Sequence, residues 1–342
     1  MNPKDKRLVA IWLSACCLLV FSMILLGGVT RLTHSGLSMV DWDPIMGVIP
    51  PLNEGQWRET FERYKDYPEY QVVNKGMGLD EFKRIFYFEY GHRVLGRSIG
   101  IVFLLPFLFF LFARKLDRPL VLRLSLLFVL GGAQGLLGWY MVMSGLVDVP
   151  RVSAYRLTAH LMLAVLILGY MLWLVFELTR RAAKPMVRAG MRTYAWLILV
   201  VVAVMIASGG FVAGTRAGFA FNTFPKMYDR WIPEGLWALQ PTWANLFENV
   251  ATVQFIHRCL AYIVALLILG FWGAALRAGG EIRMGATMLL AALAVQVALG
   301  ISTLLYSVPV SLAAAHQGGA LVVFSAALYI CHLVSRERTA PD

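Results

Sequence analysis

Eight stretches of this 342-residue chain are apolar and long enough to cross a lipid bilayer as helices. A transmembrane helix needs about 20 consecutive, mostly apolar residues. The stretches that qualify are approximately 8–28, 91–113, 120–143, 157–178, 192–214, 253–276, 284–306 and 312–334. Since hydrocarbon offers no partners for backbone polar groups, each stretch must satisfy its own groups as an α-helix. We therefore expect an all-α integral membrane protein with eight transmembrane helices.

The composition excludes several other classes of protein. Hydrophobic residues make up 59% of the chain and charged residues 15%, whereas a soluble domain carries about 25% charged residues. This balance excludes a disordered chain and an ordinary cytosolic enzyme. Cys16, Cys17, Cys259 and Cys331 all fall within predicted helices, so we expect no disulfide in an outer loop.

The distribution of charge predicts the orientation of the chain. The first apolar stretch is longer than a signal-peptide core and lacks a small-residue cleavage site, so we expect a retained helix. With the N-terminus inside, the inner segments carry 16 of the 31 Lys and Arg residues and six of the 20 Asp and Glu residues. The positive-inside rule then places both termini in the cytoplasm. The net charge of +11 thus reflects topology, and we expect no nucleic-acid partner.

The chain repeats itself as two sets of four helices. Both sets start on the inside, so the repeats are parallel. The equivalent residues, first half before second, are Gly27-Gly28 and Gly209-Gly210, Thr33 and Thr215, Glu89 to Arg93 and Gln254 to Arg258, Gln134 and Gln296, Gly138 and Gly300, and Ala159-His160 and Ala315-His316. We expect two pseudo-symmetric four-helix bundles, residues 1–185 with a long outer loop 29–88, and residues 186–342.

Four of the six histidines occupy equivalent positions in the two halves. His92 and His160 lie near the outer ends of the second and fourth predicted spans, and His257 and His316 near those of the sixth and eighth. Two neutral imidazoles at one membrane depth, on facing helices, can supply both axial ligands of a haem iron. The alternative is that these histidines hydrogen-bond between helices. Their duplication favours two bis-histidine haem sites.

The residues beside these histidines suggest further roles. Arg93 and Arg258 directly follow two of them and could pair with haem propionates, or extend their charged ends to the membrane interface. His34, whose repeat position is Arg216, is expected in a loop. His332 is expected at the inner membrane interface.

One chemical group distinguishes the two predicted sites. Glu89 stands three residues before His92 on the same helix face, whereas Gln254 occupies the matching position in the second half. A carboxylate can accept a proton or stabilise a developing positive charge, whereas an amide can only hydrogen-bond. Alternatively, Glu89 is a surface residue paired with Arg93 or Arg97. The contrast suggests chemistry in the N-terminal bundle and a permanent cofactor in the C-terminal bundle.

The first outer loop is long and contains two kinds of sequence. The glycines and prolines of residues 30–51 predict an ordered series of turns. Residues 56–67 and 79–90 are amphipathic and predict short helices on the outer interface. These helices could exclude water from the N-terminal site, or form a structural lid or a docking surface.

These motifs together resemble the haem A synthase family, in particular its proteobacterial and mitochondrial branch. The resemblance covers nearly the whole chain. Its most specific elements are Thr-Arg-Leu-Thr-His-Ser-Gly-Leu-Ser-Met at 30–39, Trp42 to Pro51, Glu-Tyr-Gly-His-Arg-Val-Leu-Gly-Arg at 89–97, Gln-Gly-Leu-Leu-Gly-Trp at 134–139, and the four paired histidines. Some bacterial relatives carry a cysteine pair in the first outer loop, which this chain lacks.

The resemblance implies an oxidoreductase of the bacterial inner membrane. Members of the family convert haem O to haem A by oxidising a methyl substituent to a formyl group, for use in cytochrome oxidase. By matching motif, His257 and His316 would ligate a resident haem b, His92 and His160 would flank the substrate haem, and Glu89 would be the acidic residue needed for catalysis. The implied partners are the lipid bilayer, haem O, haem O synthase and oxidase assembly factors, with a homo-oligomer left open.

Two other functions fit the histidine pattern alone. A transmembrane cytochrome b would relay electrons to or from quinone and would carry haem b only. A haem transporter or chaperone would pass haem across the membrane, although all four paired histidines are expected near one face.

Overall fold

A computed structural model describes residues 1–39, 49–146, 150–179, 189–278 and 280–335 of the protein. These ranges contain eight long helices and no β-strand. In chain order the helices are α1 (Pro3–Leu32), the shorter α2 (Glu54–Lys65), α3 (Leu79–Phe112), α4 (Arg118–Met143), α5 (Ala154–Thr179), α6 (Ala189–Thr215), α7 (Val250–Ala275), α8 (Gly280–Leu305) and α9 (Val310–Ser335).

The eight long helices match the eight predicted spans. Each contains an apolar stretch with at most two charged residues, and the shortest candidate span has 26 residues. At about 1.5 Å per residue this is about 39 Å, which exceeds the roughly 30 Å hydrocarbon core of a bilayer. The prediction of an all-α, multi-pass membrane protein is confirmed. All four cysteines lie in these helices, as predicted.

The second predicted amphipathic helix is not a separate element. Residues 79–90 form the first turns of α3, which continues without a break for 34 residues. No proline separates the amphipathic turns from the apolar span, and the single Gly91 costs only about 1 kcal/mol relative to alanine. His92 therefore lies about 20 Å along the axis from the start of α3, rather than within two turns of it. His160, His257 and His316 lie within two turns of their helix starts, as predicted.

The helix α2, predicted at 56–67, packs its aromatic face on the start of α3. Its Trp57 ring centroid lies 5.0 Å from that of Phe86, and Tyr64 lies 5.0 Å from Phe82. These rings and Phe61 are all buried. The apolar face of α2 thus packs against aromatic side chains near the N-terminal end of α3.

The hydroxyl of Tyr64 is embedded in this cluster. Asn74 Nδ2 donates a hydrogen bond to it at 2.7 Å, and the hydroxyl lies 3.3 Å from Glu69 Oε2. Burial, reinforced by the nearby Glu69 carboxylate, raises the pKa of Tyr64 well above its ordinary value. The phenol is therefore neutral when α2 is docked.

The chain divides into two compact units. One comprises Met1 and Ala15–Ala164, and the other comprises Asn2–Ser14 and Val165–Asp342. Within the second unit, α6 and α8 each contact both α7 and α9, so these four helices close into a bundle. The predicted boundary between residues 185 and 186 lies outside the described residues. The division into two repeat bundles stays a prediction, as does the orientation, which depends partly on basic residues outside the described ranges.

The start of the first outer loop is ordered into turns. Residues 30–32 belong to α1, and residues 33–39 form the turns that the sequence predicts. Residues 40–48 of the predicted turn region lie outside the described residues. The turn at 35–39 is the part of the loop that contacts the candidate site.

Candidate functional site

The helices α1 and α6 end in the same way. The hydroxyls of Thr33 and Thr215 donate to the carbonyl four residues earlier, at 2.9 and 2.7 Å. The next residue is left-handed in both cases, with φ of +52° at His34 and +59° at Arg216. A left-handed residue ends the helix and redirects the chain. The prediction that His34 is a loop residue is confirmed.

In the first unit, both paired histidines lie against glycines. A Cβ atom at Gly27 would lie 3.0 Å from His92 Nε2, and one at Gly138 would lie 2.9 Å from His160 Cε1. Real Cβ contacts are rarely so short, so these imidazoles occupy space that a side chain would fill. Both histidines belong to the same compact unit of the fold. The fold therefore brings His92 and His160 into one region.

The second unit repeats this arrangement. A Cβ atom at Gly300 would lie 2.8 Å from His316 Cε1, and one at Gly209 would lie 3.4 Å from His257 Cε1. His257 and His316 again belong to one compact unit. All four glycines are among the residues that mark the repeat in the sequence.

A glutamine on the third helix of each set fixes the backbone of the second histidine in each pair. Gln134 Nε2 donates to the carbonyl of His160 at 3.1 Å, and Gln296 Nε2 donates to that of His316 at 2.9 Å. The Nδ1 atoms of these two histidines are buried and have no hydrogen-bond partner among the described residues. A buried polar atom without a partner costs about 1–3 kcal/mol, so these rings have capacity for a ligand.

The histidine pairs define what kind of metal group could bind. No cluster of three or more His, Cys, Asp or Glu side chains suited to a metal ion occurs in the described ranges. A bare ion such as Zn²⁺ needs about four protein ligands. A porphyrin iron needs only one or two axial ligands from the protein, which a pair of imidazoles supplies. The donor set fits haem.

Glu89 is buried and connects α3 to the turn that follows α1. Its Oε2 accepts hydrogen bonds from the Met39 N–H and the Ser38 hydroxyl, both at 2.8 Å. Its Oε1 accepts from Arg93 Nη2 at 2.6 Å, and the same guanidinium donates to the Met39 carbonyl at 2.7 Å. With 3% of its surface exposed, Glu89 is not a surface residue, although the pairing with Arg93 is confirmed.

Gln254 and Arg258 hold the corresponding turn in the second unit. Gln254 Nε2 donates to the carbonyls of Ala217, at 3.0 Å, and Ala220. Arg258 Nη2 donates to the carbonyl of Phe221 at 2.8 Å. The turn after α6 is thereby fixed against α7.

The two turns are equivalent in position but differ in polarity. Phe221 corresponds to Met39 in the repeat, so the two arginines make the same contact. Glu89 accepts hydrogen bonds from its turn, whereas Gln254 donates them. Glu89 thus carries a carboxylate that is paired with Arg93, whereas Gln254 is a neutral amide beside Arg258.

Both arginines use their Nη atoms on loop carbonyls, so neither simply extends to the membrane interface. The Nε of Arg258 is buried and has no hydrogen-bond partner among the described residues. Pairing of Arg93 and Arg258 with haem propionates stays a prediction.

Ser208 is a site residue that the sequence reasoning missed. Its hydroxyl lies 2.7 Å from His257 Nδ1, one residue before Gly209 on α6. The equivalent position in the first half is Leu26. A search of the repeat for polar residues with apolar counterparts would have found it.

His332 lies in the last turn of α9, as predicted, and is buried within the protein, whereas its place at a membrane interface stays a prediction. Only 1% of this residue is exposed, and its ring packs edge-on against Trp173 at 5.0 Å and near Phe176 at 5.6 Å. Aromatic side chains of α5 within the second unit cover the C-terminal end of α9. His332 therefore has a packing environment unlike that of the paired histidines.

Comparisons with known proteins cover almost the entire chain. Residues 10–328 match the model of a family described as "Cytochrome oxidase assembly protein". A relative from Nitrosospira multiformis, named heme A synthase, is 51% identical over 337 residues, which is 97% of this chain and 95% of the relative. Relatives of the same name from Nitrosomonas eutropha and Parvibaculum lavamentivorans are 48% and 47% identical, covering 96% and 97% of this chain and 94% and 96% of their own lengths.

Proposed function

Because the chain belongs to the haem A synthase family, we propose that it oxidises a methyl substituent of haem O to a formyl group, producing haem A for cytochrome oxidase. The protein is a multi-pass membrane enzyme that acts on haem. The observation that carries the proposal is the duplicated histidine site, in which one copy has a buried carboxylate and the other an amide.

The N-terminal pair is the proposed substrate site. His92 and His160 would hold the iron of haem O, each ring accommodated by a glycine of the neighbouring helix. Glu89 lies one helical turn before His92, and its carboxylate is held there by hydrogen bonds from Ser38 and Met39 and by the ion pair with Arg93. A fixed charge in a water-poor site stabilises positive charge that develops during oxidation. Oε1 accepts from Arg93 and has a second lone pair that can accept another donor.

The C-terminal pair is the proposed site of a resident haem b, held by His257 and His316. When bound, haem b supplies one-electron transfer. Gln254 provides no charge beside this pair and holds the adjacent turn by neutral hydrogen bonds. The protein's contribution here is to fix two half-buried imidazoles.

The same family membership supports a location and partners. We place the enzyme in a bacterial inner membrane with both termini in the cytoplasm, since the inner segments carry 16 basic against six acidic residues and the outer segments 15 against 14. Haem O synthase would supply the substrate, and oxidase assembly factors would receive the product.

The direct test is Glu89→Gln, which gives the first site the residue of the second. Glutamine can still accept the Met39 N–H, so the turn and haem binding are expected to persist. The charge is lost, and formyl haem should fall by two orders of magnitude or more, as is typical when an electrostatic catalytic group is removed (roughly 10²–10³-fold). The measurement is the haem A content of membranes by mass spectrometry of extracted pigments.

A matched control is Glu69→Gln, which removes a buried carboxylate from the outer end of the same unit. It should leave haem A formation unchanged. Normal haem A in Glu89→Gln would remove this carboxylate from the mechanism. A protein that contains haem b alone, with no haem O or haem A, would instead be an electron relay.

A further inference from the structure

Ser208 makes a hydrogen bond to His257, one of the candidate ligands. The first half has no counterpart of this hydrogen bond, because Leu26 occupies the position equivalent to Ser208. The Ser208 Oγ lies 2.7 Å from His257 Nδ1, and Ser208 and His257 lie on adjacent helices, α6 and α7. The same Oγ lies 2.8 Å from the carbonyl oxygen of Met205, one turn earlier on α6. Three atoms thus form a chain from the helix backbone to the imidazole ring.

The direction of these hydrogen bonds follows from the number of protons available. A serine hydroxyl has one proton to donate and two lone pairs that can accept. A carbonyl oxygen can only accept, so the Ser208 proton is donated to Met205. The Met205 thioether, at 3.8 Å, is a much poorer acceptor. Ser208 Oγ is then an acceptor toward the imidazole, which requires a proton on His257 Nδ1.

We infer that Ser208 is a positioning residue that fixes His257 with Nδ1 protonated and Nε2 as the metal-binding nitrogen, and that it thereby makes the C-terminal pair the permanent haem site. This inference rests on the proposed function, since it takes His257 as a haem ligand. A neutral imidazole carries one proton, so protonation at Nδ1 leaves the Nε2 lone pair available. A hydrogen bond at the second nitrogen also fixes the ring orientation and raises the basicity of the ligand.

The first half lacks this device. Leu26 occupies the position equivalent to Ser208, and its side chain has no atom that can accept a hydrogen bond. The Nε2 atom of His92 instead faces Gly27, where an added Cβ would lie 3.0 Å from it. Removal of such a partner typically weakens metal binding about 10–100-fold. A product must leave its site whereas a resident cofactor must not, so the hydrogen bond lies where tight binding is needed.

The test is Ser208→Ala in the purified full-length protein. We expect about 10-fold or greater loss of haem b during purification, because the ring loses its fixed tautomer and orientation. In the remaining haem b, the midpoint potential should rise, because a less basic ligand stabilises ferric iron less. The potential and the low-spin ferric EPR signal report on the ligand directly and do not depend on activity.

Two further variants separate positioning from packing. Ser208→Thr keeps an acceptor oxygen and should retain the wild-type potential. Ser325→Ala removes a hydroxyl that, among the described residues, bonds only to the carbonyl four residues earlier on α9, and it should change neither haem content nor potential. Wild-type haem retention and potential in Ser208→Ala would overturn the inference. A shift of the same size in Ser325→Ala would also overturn it.

The reciprocal variant and a ligand variant complete the test. Leu26→Ser should increase retention of haem in the N-terminal site and slow the release of haem A. His257→Ala should abolish the low-spin haem b signal. If that signal survives in His257→Ala, the proposed site assignment itself fails. If it is lost in His257→Ala but unaltered in Ser208→Ala, only the inference about Ser208 fails.

Discussion

Each candidate ligand lies against a glycine of a neighbouring helix, and this contact limits what can replace the glycine. The contact is tightest at His160 and His316, where an added Cβ would meet the imidazole at less than 3.0 Å. Since both glycines are in helices whose backbone is fixed by regular hydrogen bonds, the ring must move instead. A single methyl group is therefore enough to displace a ligand.

Gly138→Ala and Gly300→Ala should each impair one site. We expect Gly138→Ala to lower bound haem O and haem A about tenfold and to leave haem b, and Gly300→Ala to do the reverse. Haem content per protein, measured by pyridine haemochrome spectra and mass spectrometry, checks both. Gly132→Ala on α4 is the control, because a Cβ there meets no atom within 4 Å. Equal loss of both pigments in either site variant would contradict two separate sites.

The sequence predicted part of the Glu89 environment. The pairing with Arg93 follows from their four-residue spacing on a helix. The bonds to Ser38 and Met39 join residues about 50 positions apart, and no local pattern encodes them. Ser208 was missed for a related reason, since serine in an apolar helix often bonds its own backbone and does not by itself indicate a ligand.

At the scale of elements, α2 and the first turns of α3 form one aromatic layer. Trp57, Tyr64, Phe82 and Phe86 are all buried in it. Glu89, which holds the 35–39 turn, follows Phe86 by one turn on α3. The aromatic layer and this carboxylate are therefore neighbours on the same rigid helix. The docking of α2 therefore influences how rigidly this end of α3 is held.

The docking of α2 should depend on pH through Tyr64. The pKa of Tyr64 is raised when α2 is docked, whereas an unfolded tyrosine ionises with a pKa of about 10. Above this pH the undocked state binds fewer protons than the docked state, so the free energy of docking is progressively lost as pH rises. A spin label at Glu62→Cys, an exposed position on α2, should become more mobile above about pH 10.

Tyr64→Phe provides the comparison, because phenylalanine fills the same space and cannot ionise. In this variant the label should stay immobile to higher pH than in the protein with Tyr64. An identical rise in mobility in both proteins would show that other groups control the docking of α2.

The sequence predicted the transmembrane helices well because their length and apolarity are set by the bilayer. It placed the start of α3 wrongly, because amphipathic and apolar patterns adjoin there without a helix-breaking residue. An extended helix and two abutting helices have the same local propensity, and only the packing of α2 against Phe82 and Phe86 distinguishes them.

At the scale of the whole molecule, the duplication is visible in the hydrogen bonds of the structure as well as in the amino-acid sequence. Equivalent threonines end α1 and α6, equivalent glutamines hold the second histidine of each pair, and equivalent arginines hold the turns. Two departures from the repeat involve candidate ligands: Glu89, where the second half has Gln254, stands three residues before His92, and Ser208, where the first half has Leu26, contacts His257. A duplicated scaffold with two chemically different sites is what an enzyme with a substrate haem and a resident haem requires.

The central claim is that the two histidine pairs hold two different porphyrins. It is tested most directly by identifying the pigments extracted from His92→Ala/His160→Ala and from His257→Ala/His316→Ala by mass spectrometry. The first variant should retain haem b and lose haem O and haem A, and the second should lose haem b. Haem O or haem A that survives loss of His92 and His160, or haem b that survives loss of His257 and His316, would contradict the account.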